Sequence, residues 1–209
     1  MKFYLISPPT NNINFNYQNF DEITDIICVD YFQFRPKHFS INERINFVEN
    51  HYENFSKICK KKKIKLIINN DFTIAKKFKF DGIHLGQEDK ECREAKKEFG
   101  EDFVVGVSCS NSLEQYYEAE IQKADYVAFG PVFETKTKNK KRIDIESLIF
   151  SLQKLRLPFT LIGGINHHNF MQLLKYKPYN IAIINSFWNY AKGPVESAIL
   201  FNKLLKEIK

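Results

Sequence analysis

The sequence predicts an α/β fold, a (β/α)8 TIM barrel, on three observations. Eight short apolar runs recur along 209 residues. Most of them are followed by a stretch with helical spacing. Unusual polar residues stand just after the runs rather than before them, as where a barrel gathers its functional loops at the C-terminal ends of its strands.

The elements follow in order. The first run, Phe3–Ser7, is stopped by Pro8-Pro9. The second spans Ile26–Phe34. Ser40-x-x-Glu43 then reads as a capping box, each side chain satisfying an orphan backbone donor at a helix start. Behind it Ile41, Ile45, Val48, Tyr52, Phe55 and Cys59 keep helical spacing, and Lys60–Lys63 complement the dipole at the helix C-terminus. The third, fourth and fifth runs are Ile64–Asn69, Gly82–Leu85 and Phe103–Val107. Ser112-x-x-Gln115 is a second candidate box, opening a helix through Ile121. Tyr126–Gly130, Phe159–Gly163 and Ile181–Ile184 complete the runs. His167-His168 are expected in the first turn of a helix, without a role. Pro194 suits a first helical position, and Val195, Ile199, Phe201, Leu204, Leu205 and Ile208 give the last helix an apolar face. Several runs are continuously apolar, as strands covered on both faces are. The rival architecture is an open doubly wound sheet; no Gly-x-Gly-x-x-Gly follows the first run, which weakens its dinucleotide-binding form. No linker divides the chain, so residues 1–209 are expected to form one domain.

Composition narrows the function classes. Hydrophobic residues make up 44% and charged residues 27%, ordinary for a water-soluble domain. No apolar run approaches the ~18 residues of a membrane span, and a cytoplasmic location is expected. The net charge of +6 owes much to Lys60–Lys63 and Lys136–Arg142. Those clusters are the sole argument for nucleic-acid binding, and a general enrichment in Lys, Asn, Ile and Phe discounts them; neither nucleic acid nor membrane is expected as a partner. Cys28, Cys59, Cys92 and Cys109 form no Cys-x-x-Cys pair, against a zinc site and consistent with a reducing compartment. Self-association is left open.

The residues after the runs have a coherent chemistry. Arg35, Lys37 and Lys138 supply positive charge. Gly163-Gly164 and Asn185-Ser186 follow the seventh and eighth runs, where barrels often hold phosphate on backbone N–H groups. Asp89, with an oxygen from Asn70 or Asp71, is a candidate Mg²⁺ site, since Mg²⁺ takes one or two carboxylates plus substrate phosphates. Such a mouth suits small phosphorylated molecules carrying two separate phosphate groups.

At "DGIHLGQED" (81–89), "ADYVAFGPVFETKTK" (124–138), "IGGIN" (162–166) and "QFRPK" (33–37) the chain resembles the thiamine phosphate synthase family, which also contains the thiazole tautomerases. The resemblance runs through most of the sequence and implies a (β/α)8 barrel. It implies a transferase joining hydroxymethylpyrimidine diphosphate to thiazole phosphate, with release of pyrophosphate and help from Mg²⁺. It places Gln33 on the pyrimidine. Arg35, Lys37, Asn69, Ser108 and Lys138 fall on the diphosphate, Asp89 and Asn70 at the metal, and Thr135 and Thr137 on the thiazole side. Backbone amides near Gly164, Asn185 and Ser186 fall on the thiazole phosphate. His84 and Gln87 join Asp89 as floor and metal wall of the mouth.

The chain departs from the family pattern in the loop after Lys138, which is short and lacks the glycines often found there, and at three further places. Asn70 stands where family synthases usually carry an aspartate, so one charge is lost beside a divalent ion. Ser110-Asn111 stand near the place of a histidine that the tautomerases use for proton transfer; neither has a pKa suited to that work near neutrality. Pro36 replaces a common acid and restricts Phe34-Arg35. The expected function is the synthase reaction. A thiazole phosphate tautomerase and a non-catalytic binder of thiamine precursors are the alternatives.

Overall fold

Eight parallel strands close a ring in chain order: β1 (Lys2–Ile6), β2 (Val29–Phe34), β3 (Lys65–Asn69), β4 (Gly82–Leu85), β5 (Val104–Ser110), β6 (Tyr126–Phe129), β7 (Phe159–Ile162) and β8 (Asn180–Ile183), with β8 pairing back onto β1. The computed structural model describes residues 1–37, 40–134 and 156–207. Outside the ring lie α1 (Tyr17–Ile26), α2 (Ile41–Lys62), α3 (Phe72–Lys77), α4 (Cys92–Phe99), α5 (Leu113–Ile121), a 3-10 helix (Phe170–Tyr176), α6 (Asn185–Trp188) and α7 (Pro194–Lys206). The barrel is therefore the architecture, and the open sheet is set aside.

Side chains alternate across each strand, so one strand serves two layers. Residues such as Phe3, Leu5, Phe32, Phe34, Ile83 and Leu85 point outward into one core shared with the helices. Tyr4, Ile6, Tyr126 and Ala182 point inward and form a separate cluster in the barrel lumen. The outer layer is aromatic. Phe20, Phe32 and Phe55 are fully buried, with ring centroids 4.5 to 5.2 Å apart. Each such side chain contributes roughly 1.5–3 kcal/mol by burial.

The Ser40 box forms in both directions, Glu43 returning to the Ser40 amide. At Ser112 only half is made: its Oγ accepts from the Gln115 amide at 3.2 Å, while Gln115 Oε1 is a buried atom with no partner among the described residues. Lys62, at the end of α2, pairs with Asp21 and Asp25, as an ordinary helix end does. Three boundaries differ from expectation. Ile26 ends α1, and Ile27 caps it by donating to the Ile23 carbonyl, so β2 starts at Val29. β5 runs on to Ser110, through a register shift against β6 between Ser108 and Ser110, where Ser110 takes φ +49°. His167-His168 precede a 3-10 helix that starts at Phe170 rather than entering a helical first turn. Ile208 lies outside the described residues.

Candidate active site

Pleating explains why an apolar run ends in a histidine. His84 sits on the inward face of β4 between the outward Ile83 and Leu85. There it joins a chain of hydrogen bonds that crosses the lumen. Gln33 Nε2 donates to Tyr4 Oη at 2.7 Å, and Tyr4 and Tyr126 share a hydrogen bond at 2.8 Å. His84 Nδ1 lies 3.0 Å from Tyr126 Oη, and its Nε2 lies 2.9 Å from Ser108 Oγ. Burial holds both tyrosine hydroxyls well above their usual pKa, so they stay protonated. Gly106 leaves the space for the Tyr126 ring; a Cβ there would overlap it.

Above this floor, Arg35 follows β2. Ser7, fully buried, holds the loop: its Oγ accepts from the Arg35 amide at 2.8 Å and donates to the Pro8 carbonyl at 3.1 Å. The Arg35 side chain is 9% exposed and has no carboxylate within ion-pair distance among the described residues. Burial lowers its pKa from the ordinary value, but a guanidinium remains charged. Lys37 stands at the rim. Desolvation, then the neighbouring Arg35 charge, lowers its pKa, against the pull of Asp89.

Asp89 carries the acidic side of the mouth. Its Oδ1 accepts from Asn70 Nδ2 at 2.7 Å and its Oδ2 from the Gly86 amide at 2.6 Å. Asn69 Nδ2 in turn donates to Asn70 Oδ1 at 2.7 Å, and Asn70 holds φ +43°, a region asparagine tolerates. Asp71 is engaged elsewhere: it caps α3 through the Ile74 amide and pairs with Arg44 at 3.0 Å. Among the described residues no three His, Cys, Asp or Glu side chains cluster as metal ligands. The oxygens of Asp89 and Asn70 are hard donors of the kind Mg²⁺ takes when substrate phosphates complete its shell. Asn70 turns its NH2 group to Asp89 and its Oδ1 to Asn69, so Asp89 supplies the one carboxylate and Asn70 would offer its oxygen to a shared ion only with its amide turned over.

The opposite wall is backbone. Gly163 (φ +105°) and Gly164 (φ +66°) lie in the left-handed region, and a Cβ on Gly164 would strike the Glu134 carbonyl and Phe133. Asn185 and Ser186 occupy the first turn of α6, whose N–H groups have no intrahelical acceptor. Ser186 Oγ donates to the Ile165 carbonyl, and its carbonyl accepts from Ser197 Oγ, both at 2.5 Å. His167 Nε2 lies 3.0 Å from that same Ser197 Oγ, and burial lowers its pKa.

The structure brings most of the expected residues together. Gln33, Arg35, Asn69, His84, Ser108, Gly164, Asn185 and Ser186 line one cavity of about 330 Å³ at the C-terminal end of the barrel. Lys37, Asn70 and Asp89 line an adjoining groove of about 720 Å³. Thr135, Thr137 and Lys138 lie outside the described residues. Gln87 corrects its expectation: it is exposed, and its Nε2 ties the loop to the Ser108 carbonyl at 2.6 Å. Cys109 is fully buried and faces the outer core, with its thiol pushed up to about 12, so it is no nucleophile. Tyr4, Ser7 and Tyr126 were missed. Their apolar surroundings hid the tyrosines, since a strand's alternation does not say which of its faces turns to the lumen.

A closed ring of eight parallel strands, with Arg35 and the Gly163-Gly164 turn lining one cavity, makes this a barrel of the TIM type. The family model for thiamine monophosphate synthase matches residues 3–187, and the chain belongs to that family. A thiamine-phosphate synthase of Pelagibacter ubique (strain HTCC1062) is 36% identical over 198 residues, covering 93% of this chain and 92% of the relative. Another, from Nitrosospira multiformis, is 32% identical over 175 residues, covering 83% and 73%. Among solved structures, a thiamine phosphate pyrophosphorylase from Pyrococcus furiosus superposes with a TM-score of 0.80 at 24% identity, over 99% of this chain and 96% of that one, a likeness of fold. No helix among the described residues is long and apolar enough to cross a membrane.

Proposed function

We propose that the protein is a thiamine-phosphate synthase, joining an aminopyrimidine methyl diphosphate to a thiazole phosphate and releasing pyrophosphate. The observation that carries this reading is Arg35: a buried guanidinium without a carboxylate partner among the described residues, in the same cavity as Gly164 and Ser186. A buried charge costs several kcal/mol unless something opposes it. A substrate diphosphate is what would oppose it here.

In this reading the pyrimidine lies over Gln33 and His84. Its diphosphate meets Arg35, Lys37, Asn69 and Ser108, with Lys138 as a further cation. The thiazole phosphate takes the amides near Gly164, Asn185 and Ser186. As the carbon–oxygen bond breaks, negative charge grows on the leaving pyrophosphate and positive charge on the pyrimidine methylene. Arg35, buried in the mouth, and Lys37, exposed at its rim, stabilise the first. Bound Mg²⁺, held by Asp89 with Asn70, would add divalent charge to the leaving group. The thiazole nitrogen needs only to be held in line with the methylene carbon, so no general base is required. Residues 1–209 act in this reading as one barrel domain.

Purified protein incubated with both substrates and Mg²⁺ should form thiamine phosphate and pyrophosphate; no product at high enzyme concentration would sink the proposal. A second reading, a non-catalytic binder of the same ligands, is favoured by one observation, the amide of Asn70 facing Asp89 where a second carboxylate would strengthen a metal site. Calorimetry with tight binding of both substrates and no turnover would select it. The tautomerase reading loses its proton carrier, because Ser110 lines the cavity near the expected histidine position.

A further inference from the structure

The hydrogen bonds across the barrel floor allow a count of protons. Gln33 Nε2 can only donate, so Tyr4 Oη accepts from it at 2.7 Å. With no tyrosine proton left without an acceptor, the Tyr4 proton goes to Tyr126, 2.8 Å away, and the Tyr126 proton goes to His84 Nδ1 at 3.0 Å. His84 is thereby the neutral form with its proton on Nε2, donated to Ser108 Oγ at 2.9 Å. Ser108 Oγ receives that proton and keeps its own for a ligand. At the other end, Gln33 Oε1 has no partner among the described residues, and the side chain lines the cavity.

With His84 neutral and each buried tyrosine proton given to a neighbour in the chain, only one other arrangement satisfies the same contacts. Turning the Gln33 amide reverses every bond: Ser108 donates inward to His84, and Gln33 offers N–H groups to the cavity. The two ends therefore cannot be set independently. With Gln33 presenting its carbonyl, Ser108 presents a hydroxyl proton. With Gln33 presenting its amide nitrogen, Ser108 presents only lone pairs.

We propose that this five-residue chain couples recognition at the two ends of the cavity, and that Tyr4 and Tyr126 are positioning residues that set substrate selectivity through it. The proposal rests on the functional reading above and extends it. A ligand with an amino donor over Gln33 and an anionic oxygen at Ser108 satisfies both ends in one direction of the chain. An analogue with a carbonyl in place of the amine demands the reverse at Gln33, and this turns the Ser108 proton away from the anion. The penalty for the wrong pyrimidine is felt twice, although only one contact differs. This follows from the rule that a site built to hydrogen-bond one partner rejects another by leaving buried polar groups unpaired.

The test uses the whole chain. Relative kcat/KM for the aminopyrimidine diphosphate over its oxo analogue is measured in the wild type, in Tyr126→Phe and in Tyr4→Phe. Each variant keeps the ring and cuts two links, the Tyr4–Tyr126 bond and the one beyond it, to His84 or to Gln33. The amino preference is expected to fall at least tenfold in both, because the two ends are then free to turn separately. An unchanged preference in both folded variants overturns the coupling while leaving the synthase reading intact. The second readout needs no substrate: in free protein labelled with ¹⁵N-histidine, His84 should carry its proton on Nε2, and Tyr126→Phe should abolish that preference. A His84 signal indifferent to Tyr126→Phe also defeats the proposal. Wild-type protein that neither binds nor converts the aminopyrimidine diphosphate defeats the functional reading instead, and the histidine signal still decides the direction of the chain. If Tyr126→Phe fails to fold, Tyr4→Phe carries both measurements.

Discussion

Arg35 owes its place to Ser7 and to the end of β2, and its charge is balanced by no carboxylate among the described residues. Arg35→Gln should weaken pyrophosphate binding by roughly 10- to 100-fold, the scale of one to two charge-assisted hydrogen bonds. The melting temperature of the free protein should hold or rise, because an unpaired buried charge has been removed. Calorimetry and thermal melting give the two readings; a free protein destabilised as much as its ligand binding would assign Arg35 a structural role. Gly106 is a second such residue. Gly106→Ala drives a Cβ into the buried Tyr126 ring, and overpacking of this kind costs about 1–3 kcal/mol. Denaturant unfolding should register that loss, together with altered tyrosine absorbance. Arg35 was legible because charge stands out after an apolar run. Gly106 and Tyr126 were not, since their relation is a contact between neighbouring strands that no local pattern records.

The elements were legible to the extent that they are periodic. The capped helix α2 and the continuous runs of β1 and β3 stood close to where expected, while β5 outran its apolar pattern because Val107-Ser108-Cys109-Ser110 continues in strand geometry with polar residues facing the mouth. The 3-10 helix was not readable, because Phe170–Tyr176 has the composition of an ordinary helix. It belongs to a unit that braces the backbone wall of the site: His167 to Ser197 on α7, and Ser197 to the Ser186 carbonyl. Burial lowers the pKa of His167 below the usual 6.5. The folded chain therefore binds fewer protons there than the unfolded chain once the pH drops below the unfolded value. Stability from this residue is present above about pH 6.5 and lost as the pH falls through the lower folded value. Histidine→Gln at position 167 should flatten that part of the stability–pH curve measured by urea unfolding; an unaltered curve would remove His167 from the account.

At the scale of the whole molecule, closure of the ring by β1 and β8 leaves no edge strand among the described strands, and the outer aromatic layer holds the helices to it. Phe55→Ala, in the middle of that layer, should cost about 3–5 kcal/mol in denaturant unfolding. The chain should also be alkali-sensitive. Burial moves the Cys109 thiol from 9.0 to about 12, so the folded state keeps a proton that the unfolded state releases. The folded form binds more protons between those values, and its stability declines as the pH rises through them; Cys109→Ala should soften the decline in a pH series of melts. The barrel as a whole was readable from eight runs and their polar sequels, whereas its lumen was not, because an apolar run looks alike whichever way its residues face.

That division of each strand has an evolutionary consequence. The grip on the helices is lodged in the outward set of positions and the cavity lining in the alternate set, so substitutions at neighbouring positions of one strand should change different properties. A lineage can revise what the lumen recognises, one odd or even position at a time, while the grip between ring and helices stays untouched.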